Sequence, residues 1–358
     1  MSATEVAIFQ KILTNLAAQA VSDLYLRAGS QPVARRDGEL SVESDEATVS
    51  ADFLEAILAY LLTPQQRQIL EQQKQITIGY NFANRLRLRV SVFYQHGLPE
   101  LTMRFIGSSV KTTVDLGLPP ALAKLTSRQH GLILITGPFG SGRSTTVASL
   151  LSVINHRQAR HIVTIEEPIE YALLADKSLL DQREVGQDVN SWEEAVSDLP
   201  NEDCDVIALS RLPSGQIINQ AIDLALGGKL VLAVTESDSS VKTIERLLGQ
   251  YKPDDQDSAR TRLADALLAI SFQQLIPRVG GGRVLVPELL LNTPPVKSII
   301  QEGKYYRLNN LLQTSRAEGM MPFDFALAQL TQTGEIMQEI AIKYAHDLEL
   351  FKALLQRS

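Results

Sequence analysis

Cysteine is almost absent from this 358-residue chain. With Cys204 alone, no internal disulfide can form and no cluster of thiolate metal ligands can be assembled from one copy, which fits a reducing compartment. Long apolar runs are missing as well. No stretch of about 18 apolar residues occurs, so no segment is expected to span a bilayer. The stretch from Ala3 to Ala20 is interrupted by Gln10, Lys11, Thr14, Asn15 and Gln19 and has no basic segment before it, so it reads as an amphipathic helix and not as a signal peptide. There is no surplus of positive charge: 34 Lys and Arg stand against 41 Asp and Glu, a net charge of −7. Neither nucleic acid nor anionic lipid is therefore the default partner, because both are held by an excess of cations that displaces counterions. Repeats and low-complexity tracts are also lacking. These absences together favour a cytoplasmic protein.

Composition otherwise suits a folded globular chain, with 44% apolar and 21% charged residues, and the length fits two domains. The first hundred residues read as a helix over Glu5 to Ala20, short strands near Leu24 to Arg27 and Pro32 to Arg35, a turn at Asp37-Gly38, and a helix over Ala51 to Leu62. From Asn84 to Phe93, Arg85, Arg87 and Arg89 alternate with Leu86, Leu88 and Val90, the period-2 pattern of a half-buried strand. Those arginines read first as the solvated face of an edge strand. This is a small α+β domain, placed at 1–106, and the Gly-, Ser- and Pro-containing segment 107–120 reads as a linker. The remainder, 121–358, changes character: β-branched runs at Leu132 to Thr136, Ile162 to Ile165, Val206 to Leu209 and Leu230 to Thr235 are separated by helical stretches. Strands alternating with helices mean a mostly parallel sheet covered on both faces. The tail from Pro294 onward reads as helical.

One motif carries chemistry. The apolar run ending at Thr136 passes directly into Gly137, Pro138, Phe139, Gly140, Ser141, Gly142, Arg143, Ser144 and Thr145, and a helix follows. Glycines let the backbone curl with its N–H groups inward around a phosphate, and the helix N-terminus adds partial positive charge. This spacing is that of a phosphate loop, in which Ser144 stands where a Mg²⁺ ligand belongs and Arg143 replaces the usual lysine. The histidines show no metal-ligand spacing, Cys204 precedes a buried strand and reads as core, and Trp192 lies in a polar stretch.

Several blocks now resemble a known family. His161 to Tyr171, Gln182 to Val185, Lys242 to Arg246 and Gly280 to Val284, with Ser22 to Leu26 and Val296 to Ile300, are similar in order to the blocks of the twitching-motility retraction ATPases, the PilT-like members of the type II/IV secretion ATPase superfamily. The resemblance implies an N-terminal PAS-like α+β domain and a RecA-like P-loop domain. It also implies a hexameric ring binding ATP or ADP and Mg²⁺ between subunits, and association with a pilus or secretion platform at the inner membrane.

Against that family pattern several positions depart. Arg143 is a flat, forked guanidinium where a slim ammonium would wrap the phosphates. Ser210 and Arg211 stand at the tip of the Walker B strand in place of a glycine and a glutamate, and Lys229 and Glu236 occupy the two histidine-box positions. At about 4 Å and an effective dielectric of about 20, a like charge at Arg211 would repel a metal by roughly 4 kcal/mol per unit of charge. Glu166, the acidic-box carboxylate that orders water, is kept, with Glu167 beside it; Arg89 and Arg104 keep the positions of trans-acting arginines, and Gly97 stands where an arginine finger is expected. The reading favoured by these losses is a nucleotide-binding but hydrolysis-deficient subunit or regulator that pairs with itself or with an active paralogous motor. The alternatives are an active hexameric motor using Glu166, and a nucleotide-sensing module. Because acid and base are exchanged between the strand tips relative to the family pattern, an Arg211–Glu236 ion pair is also expected.

Overall fold

A computed structural model describes residues 3–19, 21–36, 39–82, 86–106 and 110–356. The expected turn at Asp37-Gly38, Arg85, and residues 107–109 of the expected linker lie outside those residues. The chain divides into two compact units, residues 1–109 with 168–172, and residues 110–167 with 173–358.

The first unit is a PAS-like α+β domain. Helix α1 (Ala3–Ala17) is followed by strands β1 (Asp23–Arg27), β2 (Val33–Arg36) and β3 (Glu39–Val42), helices α2 (Ala51–Leu61) and α3 (Pro64–Gln73), and strands β4 (Gln75–Phe82), β5 (Leu86–Gln95) and β6 (Leu98–Ile106). Helix α2 starts where the Ser50 hydroxyl accepts from the Phe53 N–H at 3.0 Å. Helix α3 starts at a reciprocal Thr63–Gln66 capping box with Pro64 in its first turn, where a missing N–H costs nothing. The antiparallel sheet runs β3-β2-β1-β6-β5-β4. Leu24, Leu26, Leu88, Val90, Leu101 and Met103 bury against Phe9, Leu13, Leu54, Ile57 and Leu58 from α1 and α2. The arginine-bearing strand β5 is not an edge strand, as its alternation suggested; it pairs with β4 on one side and β6 on the other. Period 2 reports a strand with two unlike faces, and is silent on how many neighbours it has.

The second unit is the RecA-like domain. In order come α4 (Pro120–Leu125), β7 (Gly131–Thr136), α5 (Arg143–Arg157), β8 (His161–Glu166), β9 (Leu179–Glu184), α6 (Trp192–Asp198), β10 (Val206–Leu209), α7 (Gly215–Leu226), β11 (Leu230–Thr235), α8 (Ser240–Leu248), α9 (Gln256–Ala266), β12 (Leu267–Pro277) and β13 (Arg283–Leu291). Helices α10 (Pro294–Gln301), α11 (Leu308–Thr314), α12 (Phe323–Gln332), α13 (Gln338–Ala341) and α14 (Leu348–Leu355) make up the tail. The sheet order is β13-β12-β7-β11-β10-β8-β9, parallel throughout except for the antiparallel β12–β13 pair at one edge. Each central strand is apolar on both sides because both faces are covered. In β7, Leu132 and Leu134 join the core under α7 and α9, while Ile133 and Ile135 join the opposite core with Leu150 and Ile154 of α5. The parallel register brings the carboxyl ends of β7, β11, β10 and β8 to one edge, where ligands of open α/β sheets bind.

Candidate functional site

The loop after β7 has the geometry its sequence predicts. Gly137, Gly140 and Gly142 all have positive φ, and Gly142 ends the loop as the N-cap of α5. A Cβ on Gly137 would lie 2.3 Å from the carbonyl oxygen of Gln273, so only glycine fits there. The loop is held from the side by that same residue. Gln273, fully buried in β12, donates from Nε2 to the Ser141 carbonyl at 2.8 Å and accepts from the Thr146 hydroxyl at 2.8 Å. Sequence reading missed Gln273; the available signal was an amide interrupting an otherwise apolar strand. Ser144 and Thr145 follow Arg143 in the first turn of α5, both half-buried, and Phe139 stands out at the loop crest with 91% exposure.

Arg143 does not point at empty space. Its side chain is only 13% exposed; one guanidinium nitrogen donates to the Thr235 carbonyl at 2.8 Å and the other to Glu236 Oε1 at 3.1 Å. Arg211 pairs with Glu167 and lies over the Trp192 ring, 5.6 Å from its centroid. The expected Arg211–Glu236 pair is therefore not formed, and the strand register explains why. Leu209 of β10 lies beside Ala233 of β11; continued past these last paired residues, the register sets Arg211 level with Thr235 and leaves Glu236 one residue out of phase. Alternation along a strand sends neighbouring residues to opposite faces. Thr136 pairs with Thr235, so Glu236 leaves β11 where Gly137 leaves β7, beside the loop whose Arg143 it meets. On the other side of β10, Leu209 pairs with Ile165, and Arg211 comes level with Glu167. What the sequence suggested as one exchanged pair is two pairs, each made with a different neighbour.

At the end of β8, Glu166 Oε1 accepts from the Thr164 hydroxyl at 2.7 Å and from Gln182 Nε2 at 3.0 Å. The Glu167 N–H donates to the Ser210 hydroxyl at 3.2 Å, and the indole N–H of buried Trp192 donates to Glu167 Oε2 at 2.5 Å. Trp192 is thus a structural member of this corner, hidden in the sequence by its polar neighbours Ser191, Glu193 and Glu194.

Other expected residues lie elsewhere. Lys229 precedes β11 and Glu236 follows it, so the two histidine-box positions sit at opposite ends of a strand, roughly 20 Å apart at the usual rise. Within the first unit, Arg89 and Arg104 are directly opposite one another on β5 and β6, an arrangement in which like charges repel unless each has an acid. Each has one: Glu170 at 2.7 Å for Arg89, and Asp23 at 2.9 Å for Arg104. Gly97 and His96 form the two-residue turn between β5 and β6, both with positive φ, a conformation that favours glycine at Gly97. Cys204 is buried, and no group of ligating side chains that could hold a metal occurs among the described residues.

The loop fits a phosphate: its glycine cradle has no room for a side chain at Gly137, and it opens onto a helix N-terminus. A divalent ion fits less well. Ser144 supplies a hydroxyl, but the β10 tip presents Arg211, and Glu167 and Glu236 are each already bound to a guanidinium.

Fold and loop together define a RecA-like P-loop protein preceded by a PAS-like domain. Residues 3–282 match the type II/IV secretion system protein family, and the chain belongs to it. A type IV pilus retractation ATPase, PilT, of Pseudomonas aeruginosa is 31% identical over 341 residues, spanning 95% of this chain and 99% of the relative. The type IV pilus ATPase PilU of the same organism is 32% identical over 346 residues, spanning 96% and 90%. A crystal structure of the pilus retraction motor PilT with bound ADP superposes with a TM-score of 0.89 at 32% identity, covering 96% of this chain and 98% of that one.

Proposed function

We propose that this chain is a nucleotide-binding, hydrolysis-deficient homologue of the PilT-like motors, serving as a subunit or regulator of type IV pilus retraction or of a related secretion machine. The observation that carries this reading is Arg211, a cation at the tip of β10 that is tied to Glu167. Phosphoryl transfer is catalysed by positioning and by charge stabilisation around metal and water, and a guanidinium at that tip supplies the wrong sign. In this reading Gly137, Gly140, Ser141, Gly142, Arg143, Ser144 and Thr145 hold the phosphates of ATP or ADP, and Ser144 is the remaining hydroxyl for Mg²⁺. The ADP bound to the related PilT motor supports the choice of ligand. Partners would be further copies of the chain or an active paralogous motor in a hexameric ring, docked on a pilus or secretion platform from the cytoplasm. Nucleic acid is disfavoured by the net charge of −7. No helix among the described residues is long and apolar enough to cross a membrane.

An ATP-hydrolysing motor is the second reading, favoured by Glu166, which stands at the end of β8 with two hydrogen-bond donors on one oxygen. A steady-state ATPase assay run beside a nucleotide-binding titration separates the two. The expected result is saturable nucleotide binding with turnover at or near background. Clear Mg²⁺-dependent turnover that Ser144→Ala abolishes would establish the motor instead.

A further inference from the structure

The loop's only guanidinium is already occupied. Arg143 reaches across to β11 with a two-pronged grip from its forked guanidinium, one prong on the Thr235 carbonyl and the other on the Glu236 carboxylate. Glu236 is itself half-exposed and lines an open cavity of about 450 Å³ beside the loop, together with Phe139, Ser237, Asp238, Lys242 and Arg246. A carboxylate and a phosphate present the same fork of oxygens to a guanidinium.

We infer that Glu236 is a built-in competitor for the nucleotide: its carboxylate holds the phosphate-binding guanidinium, and a nucleoside di- or triphosphate enters the loop by displacing it. This rests on the nucleotide-binding reading above and adds what sets the affinity. The exchange is feasible because the released carboxylate has cations to move toward. Arg246 donates to the Glu236 backbone carbonyl at 2.6 Å, and Lys242, paired with Asp238 at 3.3 Å, lines the same cavity. Arg143 keeps an anionic partner in either state: the carboxylate when the loop is empty, and phosphate when the loop is full.

The test is a titration of the full-length chain with ADP, comparing wild type, Glu236→Gln, Glu236→Ala and Arg143→Ala, with thermal melts to verify that each variant is folded. Glu236 is exposed enough for its replacement to leave the fold intact, and the Gln variant keeps its shape. Removing a partly shielded ion pair from the unliganded state should tighten ADP binding by about two- to fivefold in both Glu236 variants. Arg143→Ala should weaken binding, and adding Glu236→Gln to it should restore nothing, because the competitor acts only through Arg143. If wild type binds ADP and the Glu236 variants bind it equally well or more weakly, the inference fails while the nucleotide-binding reading stands. If neither wild type nor the Glu236 variants bind ADP, both fall together.

Discussion

Among the arginines expected at the site, each has found an acid within its own chain: Arg143 with Glu236, Arg211 with Glu167, Arg89 with Glu170 and Arg104 with Asp23. A bidentate cation next to a carboxylate is a strong local interaction, but its contribution to stability depends on how much water reaches it. Arg211 and Glu167 are both more than a third exposed, so the pair is screened despite the added Trp192 contacts. A double-mutant cycle of Arg211→Ala with Glu167→Gln, read by urea unfolding, should give a coupling of at most about 1 kcal/mol. The cycle of Arg211→Ala with Glu236→Ala should be additive, since the register turns those side chains to different neighbours. Coupling in the second cycle equal to that in the first would mean that the two pairs exchange partners in solution.

At the scale of elements, helix α8 leads away from Glu236, the neighbour of the glycine loop, and its start is fixed twice. The Ser239 hydroxyl accepts from the Lys242 N–H at 3.1 Å, and buried Glu288 on β13 accepts from the Ser240 N–H at 2.8 Å. Burial pushes the Glu288 carboxyl above the ordinary carboxylate range, although the Ser240 hydrogen bonds and nearby His346 pull it partway back. An acid raised in the folded state keeps a proton that the unfolded chain has already released, so the folded state binds more protons within that window. Unfolding free energy therefore falls as pH rises through it, and this group's contribution is fullest below the ordinary carboxylate range. Glu288→Gln removes the titration while keeping an acceptor for Ser240. Its melting temperature relative to wild type should climb as pH rises above the ordinary carboxylate range, and a decline would show that the buried carboxylate is favoured in its charged form.

For the whole molecule, the match to PilT spans 95% of this chain and 99% of the relative, so both units have counterparts there. Surfaces through which subunits of such a ring would meet should persist, and native mass measurements are expected to find an oligomer, alone or with a hydrolysing relative. A monomer under both conditions would remove the ring from the proposal. Much of the architecture was legible in the sequence because local patterns carry it. Continuous β-branched runs gave β7, β8, β10 and β11, since strands covered on both faces cannot alternate. The glycines at 137, 140 and 142 gave the loop, because only a narrow set of backbone conformations curls in that way. β12 and β13 were not legible, since Gln273, Gln274 and Pro287 interrupt their apolar pattern, and the reason those residues sit there is their neighbours. Gln273 and Trp192 were missed at the site for the same cause: a buried polar group is explained only by the partner it meets. The partner of Arg211 was misjudged because sequence shows which charges lie near strand tips, whereas register decides which tips come level. One residue of phase sends Glu236 to Arg143 and leaves Arg211 to Glu167. Chain composition and spacing thus determined fold, loop and the residues available, while inter-strand register, which no single strand's sequence encodes, decided which charge faces which.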